Sequence, residues 1–342
     1  MVKLPLSKLD ELFSIIGADK TLYVPVDVKG ESEFKVWEKG VALSRKINTR
    51  NCVRKLFFPQ SENLVDFKLK GKEIEIDSKL DDGKEFVVFG VSACDARSLE
   101  ILDLVFLSEP KDSFYSNKRS KGVVVTTSCT RITETCFCTS FNIDATEPKG
   151  DVTTWMSEEY IYFKSNTKKG EDLLSGIQIL EKVNDEDVKV INRHKEEIKG
   201  ILDKLPIKLN VEQFNKENMM GIFNSDKWSE LSESCLACGT CTFVCPTCQC
   251  YDIFDYDTGN GVKRYRCWDS CMYSDFTLMA HGNPRLSQVE RFRQRFMHKL
   301  VYFPSNNDGV YGCVGCGRCL QKCPVSMNIV KVAKSIGGDF NG

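Results

Sequence analysis

Two runs of cysteine, Cys235-x2-Cys238-x2-Cys241-x3-Cys245-Pro246 and Cys313-x2-Cys316-x2-Cys319-x3-Cys323-Pro324, have a spacing that does chemistry. It is the spacing of bacterial ferredoxins, and two copies correspond to two [4Fe–4S] clusters. Three thiolates set two residues apart curl one loop around a face of a cubane. The fourth, carried off by the chain and stopped by Pro, reaches the other cluster. The spacing therefore assigns Cys235, Cys238, Cys241 and Cys323 to one cluster, and Cys313, Cys316, Cys319 and Cys245 to the second. Structural zinc pairs C-x2-C motifs into one set of four, whereas these runs supply two complete sets. A zinc-stabilised scaffold is the bland alternative.

A second group of cysteines lies in the N-terminal half. Glu85–Val91 is an unbroken apolar, aromatic and β-branched run that reads as a buried strand, and it leads through Cys94 and Arg97 into a helix over Ser98–Phe106. Gly122–Thr126 repeats the design and ends at Ser128-Cys129, with Cys136-x-Cys138 in the loop just beyond. Two strands of a βαβ unit are parallel, so their carboxyl ends share the edge where open α/β sheets place sites. Cys94, Cys129, Cys136 and Cys138 can converge there on a third [4Fe–4S] cluster. The alternatives are buried thiols that only fill space, or a redox-active or zinc-binding Cys136/Cys138 pair. Arg97 and Arg131 flank the set, where cations would raise the potential of an anionic cluster.

The rest of the chain positions these groups. Leu4–Ile16 reads as an amphipathic helix, Thr21–Val26 as a first strand, Gly71-Lys72 as a hairpin tip and Tyr160–Phe163 as a strand. Asp185–Leu205 is a charged amphipathic helix, in whose exposed pattern His194 has no role. Pro206 and the polar segment Asn210–Asn218 mark a boundary. The fold class is α+β: an α/β domain with a partly parallel sheet over residues 1–207, then an α-helical dicluster ferredoxin domain over 208–342. Between the cysteine runs, helix is expected at Asp275–Ala280 and Ser287–Leu300. The stripe Arg291, Arg295 and Lys299 on the latter is either a solvated face or a charge partner for the clusters or for another subunit. Cys248, Cys250, Cys267 and Cys271 are left over as further cluster ligands or as packed thiols; Cys52 is also unassigned.

Composition bounds the function. The chain has 342 residues, 17 cysteines, 28% charged residues and a net charge of −1, which gives no reason to expect nucleic acid or anionic lipid as a partner. The start lacks the apolar core of a signal peptide, and no apolar run approaches the length of a membrane span. Reduced thiols in ferredoxin spacing point to a cytoplasmic, oxygen-poor setting. Neither G-x-G-x-x-G after a strand nor G-x-x-x-x-G-K-[ST] is present, so no flavin or nucleotide cradle is expected on this chain. No catalytic residue stands out. The chain reads as an electron carrier, with substrate chemistry elsewhere.

In several stretches the chain resembles the 4Fe–4S dicluster family that comprises the β subunits of cytoplasmic NiFe sulfhydrogenases and the A subunits of anaerobic sulfite reductases. The stretches are Ala93-Cys-Asp-Ala-Arg97, Glu134-Thr-Cys-Phe-Cys-Thr-Ser140, Cys245-Pro-Thr-Cys-Gln-Cys250, Trp268-Asp-Ser-Cys271, Met279–Arg285 and Arg291–Lys299. Similar subunits occur in flavin oxidoreductase modules that feed heterodisulfide-reductase-type complexes. The resemblance implies a subunit that wires an NAD(P)H-linked flavoprotein, carrying FAD and a [2Fe–2S] cluster, to a catalytic partner bearing NiFe or sirohaem. A competing reading makes the chain itself a reductase, because Cys235-x5-Cys241 followed by Cys267-x3-Cys271 mimics the spacing of a sirohaem-coupled cluster.

Anaerobically purified protein is expected to carry about twelve iron and twelve acid-labile sulfide per chain, four for each of three clusters. About eight of each would return Cys94, Cys129, Cys136 and Cys138 to structural thiols.

Overall fold

The computed structural model describes residues 1–80 and 83–338. Twelve strands run through the described residues: β1 (Val2–Pro5), β2 (Thr21–Val28), β3 (Glu31–Val36), β4 (Ser61–Lys70), β5 (Glu73–Ser78), β6 (Phe86–Val91), β7 (Gly122–Thr127), β8 (Val152–Met156), β9 (Tyr160–Ser165), β10 (Glu181–Lys182), β11 (Tyr251–Asp257) and β12 (Gly261–Trp268). Eight of them form one sheet in the order β10-β1-β9-β8-β7-β6-β2-β3. Strands β2, β6, β7 and β8 are mutually parallel, and the strands on either side run antiparallel. The fold is thus α+β with a partly parallel sheet.

The unbroken apolar runs of β6 and β7 are explained by burial on both faces. Val87, Phe89, Val123 and Val125 join a core with Leu12, Phe13 and Val24. Val88, Val91 and Val124 join another with Phe57, Leu99, Leu102 and Tyr115. Helix Ala93–Phe106 starts directly after β6, so Cys94 lies on its first turn. Cys129 follows β7, on the same edge of the sheet.

Two local expectations change. Helix begins at Leu9 and ends at Asp19, while Val2–Pro5 is strand, with Leu4 fully buried beside β9. A four-residue apolar/polar alternation ending in Pro suits a strand better than a first helical turn. Between the cysteine runs the expected helix at Asp275–Ala280 is a single 3-10 turn, Asp275–Thr277. Before it, Tyr251–Trp268 forms a β-hairpin, its first strand Tyr-Asp-Ile-Phe-Asp-Tyr-Asp rich in aromatic and β-branched residues.

That hairpin ties the C-terminal half to the N-terminal half. Strand β12 pairs with β4, giving a second sheet of order β11-β12-β4-β5. Arg266 on β12 is 3% exposed and ion-pairs with Glu62 at 2.5 Å and with Asp112. Arg54 stacks on Trp268, 3.5 Å from the ring centroid, and donates to the carbonyl of Phe243 at 2.9 Å and to that of Cys248. A third core mixes Ala93, Phe137 and Phe141 with Phe214, Phe292, Phe296, Leu300 and Ile336, crossing the 207/208 division.

The deepest tie is ionic. Arg318, inside the second ferredoxin run, donates to both carboxylate oxygens of Asp95 at 2.6 and 2.7 Å, and both side chains are almost fully buried. Asp95→Asn leaves the guanidinium uncompensated and is expected to cost about 3–5 kcal/mol. Replacing both partners with apolar residues, Asp95→Leu with Arg318→Met, removes the buried charge and should recover most of that loss in thermal unfolding of the holo-protein. A single variant as stable as wild type would show that the pair does not join the halves.

Candidate metal centres

The two ferredoxin runs fold alike. Ala237 and Gly239 in the first, and Gly315 and Gly317 in the second, take left-handed backbone conformations on either side of the second cysteine. One-turn helices, Thr240–Phe243 and Arg318–Lys322, then carry Cys241 and Cys319. Left-handed residues between closely spaced cysteines bend the loop so that its thiols share one side.

Burial raises Cys235, and Cys241, Cys238 and Cys323 push the same way, so these three lie within electrostatic range of Cys235. Burial pushes Cys313 up to about 12 and Cys319 up to about 11. It also takes Cys316 well above the thiol range, and Cys245 raises all three further. Thiols held this high stay protonated at neutral pH until a metal takes the proton's place.

The N-terminal cysteines pack against the second run. Burial pushes Cys129 up to about 12 and Cys138 up to about 11; Cys136 adds to both, and Cys138 adds to Cys129. The backbone N–H of Ala93 donates to Cys129, and Ser92 Oγ lies 3.3 Å from Cys94 Sγ. Burial also raises Cys94, followed by Asp95 and by Cys316 of the second run. Thr133 Oγ1 lies 3.0 Å from Cys136 Sγ. Backbone joins the two loops: Phe137 N–H donates to Gly315 O at 2.9 Å. The approach is so close that a Cβ on Gly315 would lie 2.4 Å from Phe137 O, and one on Gly317 2.4 Å from Thr135 O. Asn48 Nδ2 donates to Cys316 O at 2.9 Å.

Of the flanking arginines, Arg97 is engaged by Glu100 and Arg131 is exposed. His194, which has no role in the sequence reading, is half-buried and hydrogen-bonds Ser128 Oγ at 2.9 Å, one residue from Cys129. Burial lowers its pKa. The charged helix pattern around it hides that contact.

The basic stripe resolves in favour of the cysteines. Arg291 is partly exposed, but Arg295 and Lys299 are 3% and 5% exposed. Lys299, in a π-helical segment His298–Tyr302 that continues helix Gln288–Met297, donates to Thr247 Oγ1 at 2.7 Å and Gly312 O at 2.9 Å. Among the described residues neither cation has a carboxylate partner within ion-pair distance. Burial opposes both charges. Cys241, Cys319, Cys248 and Cys245 as thiolates outweigh it at Arg295, and Cys245, Cys248 and Cys313 do so at Lys299. Arg295 Nε is buried without a hydrogen-bond partner. Two desolvated cations with cysteines beside them, and with only neutral oxygens as hydrogen-bond partners, favour anionic sulfur. The donor set therefore fits iron–sulfur clusters, which are anionic when held by four thiolates. His298, beside them, is pushed down to about 4 by burial and then by Lys299, and its ring packs on Phe303 at 6.0 Å.

The leftover cysteines divide. Cys248 contacts Cys245, and Cys250 contacts Cys271. Cys267 lies apart on β12, donating to Ser61 Oγ at 3.4 Å. Cys52 is buried, within range of Arg54 and Cys245. Among the described residues no three His, Cys, Asp or Glu side chains close on the point a single ion would need. No helix among them is long and apolar enough to cross a membrane.

Residues 234–327 match the 4Fe-4S dicluster domain family. Over 343 aligned positions the chain is 32% identical to the sulfhydrogenase 2 subunit beta of Pyrococcus furiosus, covering 98% of each protein. No solved structure matches it.

Replacing Arg295 or Lys299 with Met removes a positive charge beside thiolates and should make adding an electron harder. The midpoint potential of at least one cluster is expected to fall by about 59 mV or more, a tenfold change for a one-electron couple. A redox titration followed by electron paramagnetic resonance reads the shift; unchanged potentials would mean these cations do not act on the clusters.

Proposed function

The chain belongs to the 4Fe–4S dicluster family of sulfhydrogenase β subunits, and from that premise we propose that it is the electron-relay subunit of a multi-subunit oxidoreductase. It is an iron–sulfur protein of hydrogenase type. The partners in this reading are an NAD(P)H-linked flavoprotein carrying FAD and a [2Fe–2S] cluster, and a catalytic subunit bearing NiFe, sirohaem or a heterodisulfide-reductase-type centre. A cytoplasmic setting goes with this reading.

We assign Cys235, Cys238, Cys241 and Cys323 to one [4Fe–4S] cluster and Cys245, Cys313, Cys316 and Cys319 to a second. Cys94, Cys129, Cys136 and Cys138 take a third. When bound, each cluster takes up and releases one electron. The chain's own residues do the rest. The left-handed turns aim the thiols, the cores exclude water, and Arg295 and Lys299 supply the internal positive charge. Functionally we divide the chain at 207/208, with the third set in the first lobe and the ferredoxin pair in the second.

The observation that carries the proposal is the backbone contact of Phe137 with Gly315. It sets the thiols of the two lobes side by side, as a continuous relay needs and a set of independent structural metal sites does not.

Cys238→Ser and Cys316→Ser should each lose about four iron per chain and bring electron flow from the reduced flavoprotein to the catalytic partner down to background. Flow that persists at wild-type rate in both variants would place the relay elsewhere.

A further inference from the structure

We propose that Cys248, Cys250 and Cys271 hold a further iron–sulfur cluster, with three cysteine thiolates and one corner left to an oxygen donor. The inference rests on the chain being an iron–sulfur protein, not on its relay role.

The fold brings the three together for reasons independent of their chemistry. The hairpin register pairs Tyr251 with Trp268, so Cys250 stands opposite Asp269, whose N–H donates to Cys250 O at 2.9 Å. Cys271, two residues on, thereby reaches Cys250, and the two thiols are in contact. Ser270 fixes this turn, accepting at Oγ from Thr242 Oγ1 at 2.9 Å and from Met272 N–H at 3.2 Å. Cys248 comes from the other side. Thr247 beside it donates to Gly312 O at 2.7 Å and accepts from Lys299, which holds Cys248 next to Cys245.

The surroundings are wrong for three idle thiols. A buried Cys that only fills space sits among apolar groups. Here the neighbours are Thr247, Ser270 and the two buried cations, and Lys299 acts on Cys248, Cys250 and Cys271 alike. Cys267 is excluded by geometry, because it points its thiol to Ser61 on the neighbouring strand. Cys245 acts electrostatically on Cys313, Cys316 and Cys319 and is assigned to their set. That leaves three thiolates, with half-buried Asp269 opposite Cys250 as the oxygen donor at hand. The site adjoins the second ferredoxin cluster through the Cys245–Cys248 contact.

The test compares anaerobically isolated wild-type protein with Cys250→Ser/Cys271→Ser, using Cys267→Ser as a control. The double variant is expected to lose about three or four iron per chain, which wild type carries in addition to the roughly twelve of the three clusters assigned above, and the control none. Mild oxidation should expel the iron that lacks a thiolate, so wild type develops the paramagnetic signal of an oxidised three-iron cluster and the double variant does not. Full iron in the double variant, or the same signal in it, overturns the proposal. If that variant fails to fold, oxidised wild type decides alone, since absence of the signal also overturns it. Cys136→Ser/Cys138→Ser tests the N-terminal set independently, because its iron loss or retention leaves the oxidised signal unchanged.

Discussion

Arg318 is the residue on which the two halves depend. It sits between Cys316 and Cys319, 2% exposed, and its guanidinium is shared between the Asp95 carboxylate and the Thr49 carbonyl at 2.9 Å. Asp95 is next to Cys94, and Thr49 is next to Asn48, which donates to Cys316. A buried ion pair contributes little net stability compared with an apolar pair of the same volume. Its fork geometry, however, admits only one arrangement of donor and acceptor. That fixes the register of the Cys94 helix against the Cys313–Cys319 loop, and the backbone bond from Phe137 to Gly315 repeats the constraint one loop away. Thiols on three separate stretches of chain, at Cys94, Cys136–Cys138 and Cys313–Cys319, are thus held in place by contacts that do not involve sulfur.

The same logic governs charge. The thiols are raised by burial, and the cations beside them are desolvated; each is unfavourable alone. A bound cluster resolves both at once by turning thiols into thiolates facing Arg295 and Lys299. The cation positions follow from ordinary helix geometry: residues four apart share a face, and the π-helical segment carries Lys299 to Gly312, where a Cβ would lie 3.2 Å from Lys299 Cα.

Much of the site was legible because cysteine spacing reports a local loop, and a local loop is what binds one cubane. The prolines that stop each run led to the expectation that Cys245 and Cys323 cross between sets, and in the fold Cys323 acts on Cys235 while Cys245 acts on Cys313, Cys316 and Cys319. The parallel pairing of β6 and β7 was legible from two apolar runs separated by a helix. What could not be read were contacts between residues far apart in sequence. Arg318 with Asp95, His194 with Ser128, and the burial of Arg295 and Lys299 all depend on which surface each helix meets. Nothing in a charged helical pattern distinguishes a stripe facing water from one facing sulfur. The hairpin β11–β12 was missed for a different reason. The adjacent Ile253 and Phe254 break the alternation in Tyr251–Asp257, so the stretch carries aromatic and β-branched residues but no clean strand period.

That hairpin changes what the 207/208 division means. If the halves were separable, the strand β12 would present an open edge, and Arg266 would be a cation with no partner. In the fold its edge is taken by β4 and its charge by Glu62 and Asp112, while Trp268 is covered by Arg54. The hairpin begins and ends at cysteines, with Cys250 just before β11 and Cys271 just after β12. A displacement of β4 would therefore pull on the thiols at the hairpin's base, and through Cys248 on Cys245 of the second ferredoxin set. The N-terminal half thus packs into the scaffold around the C-terminal cysteines, through β4, Glu62, Asp112 and Arg54.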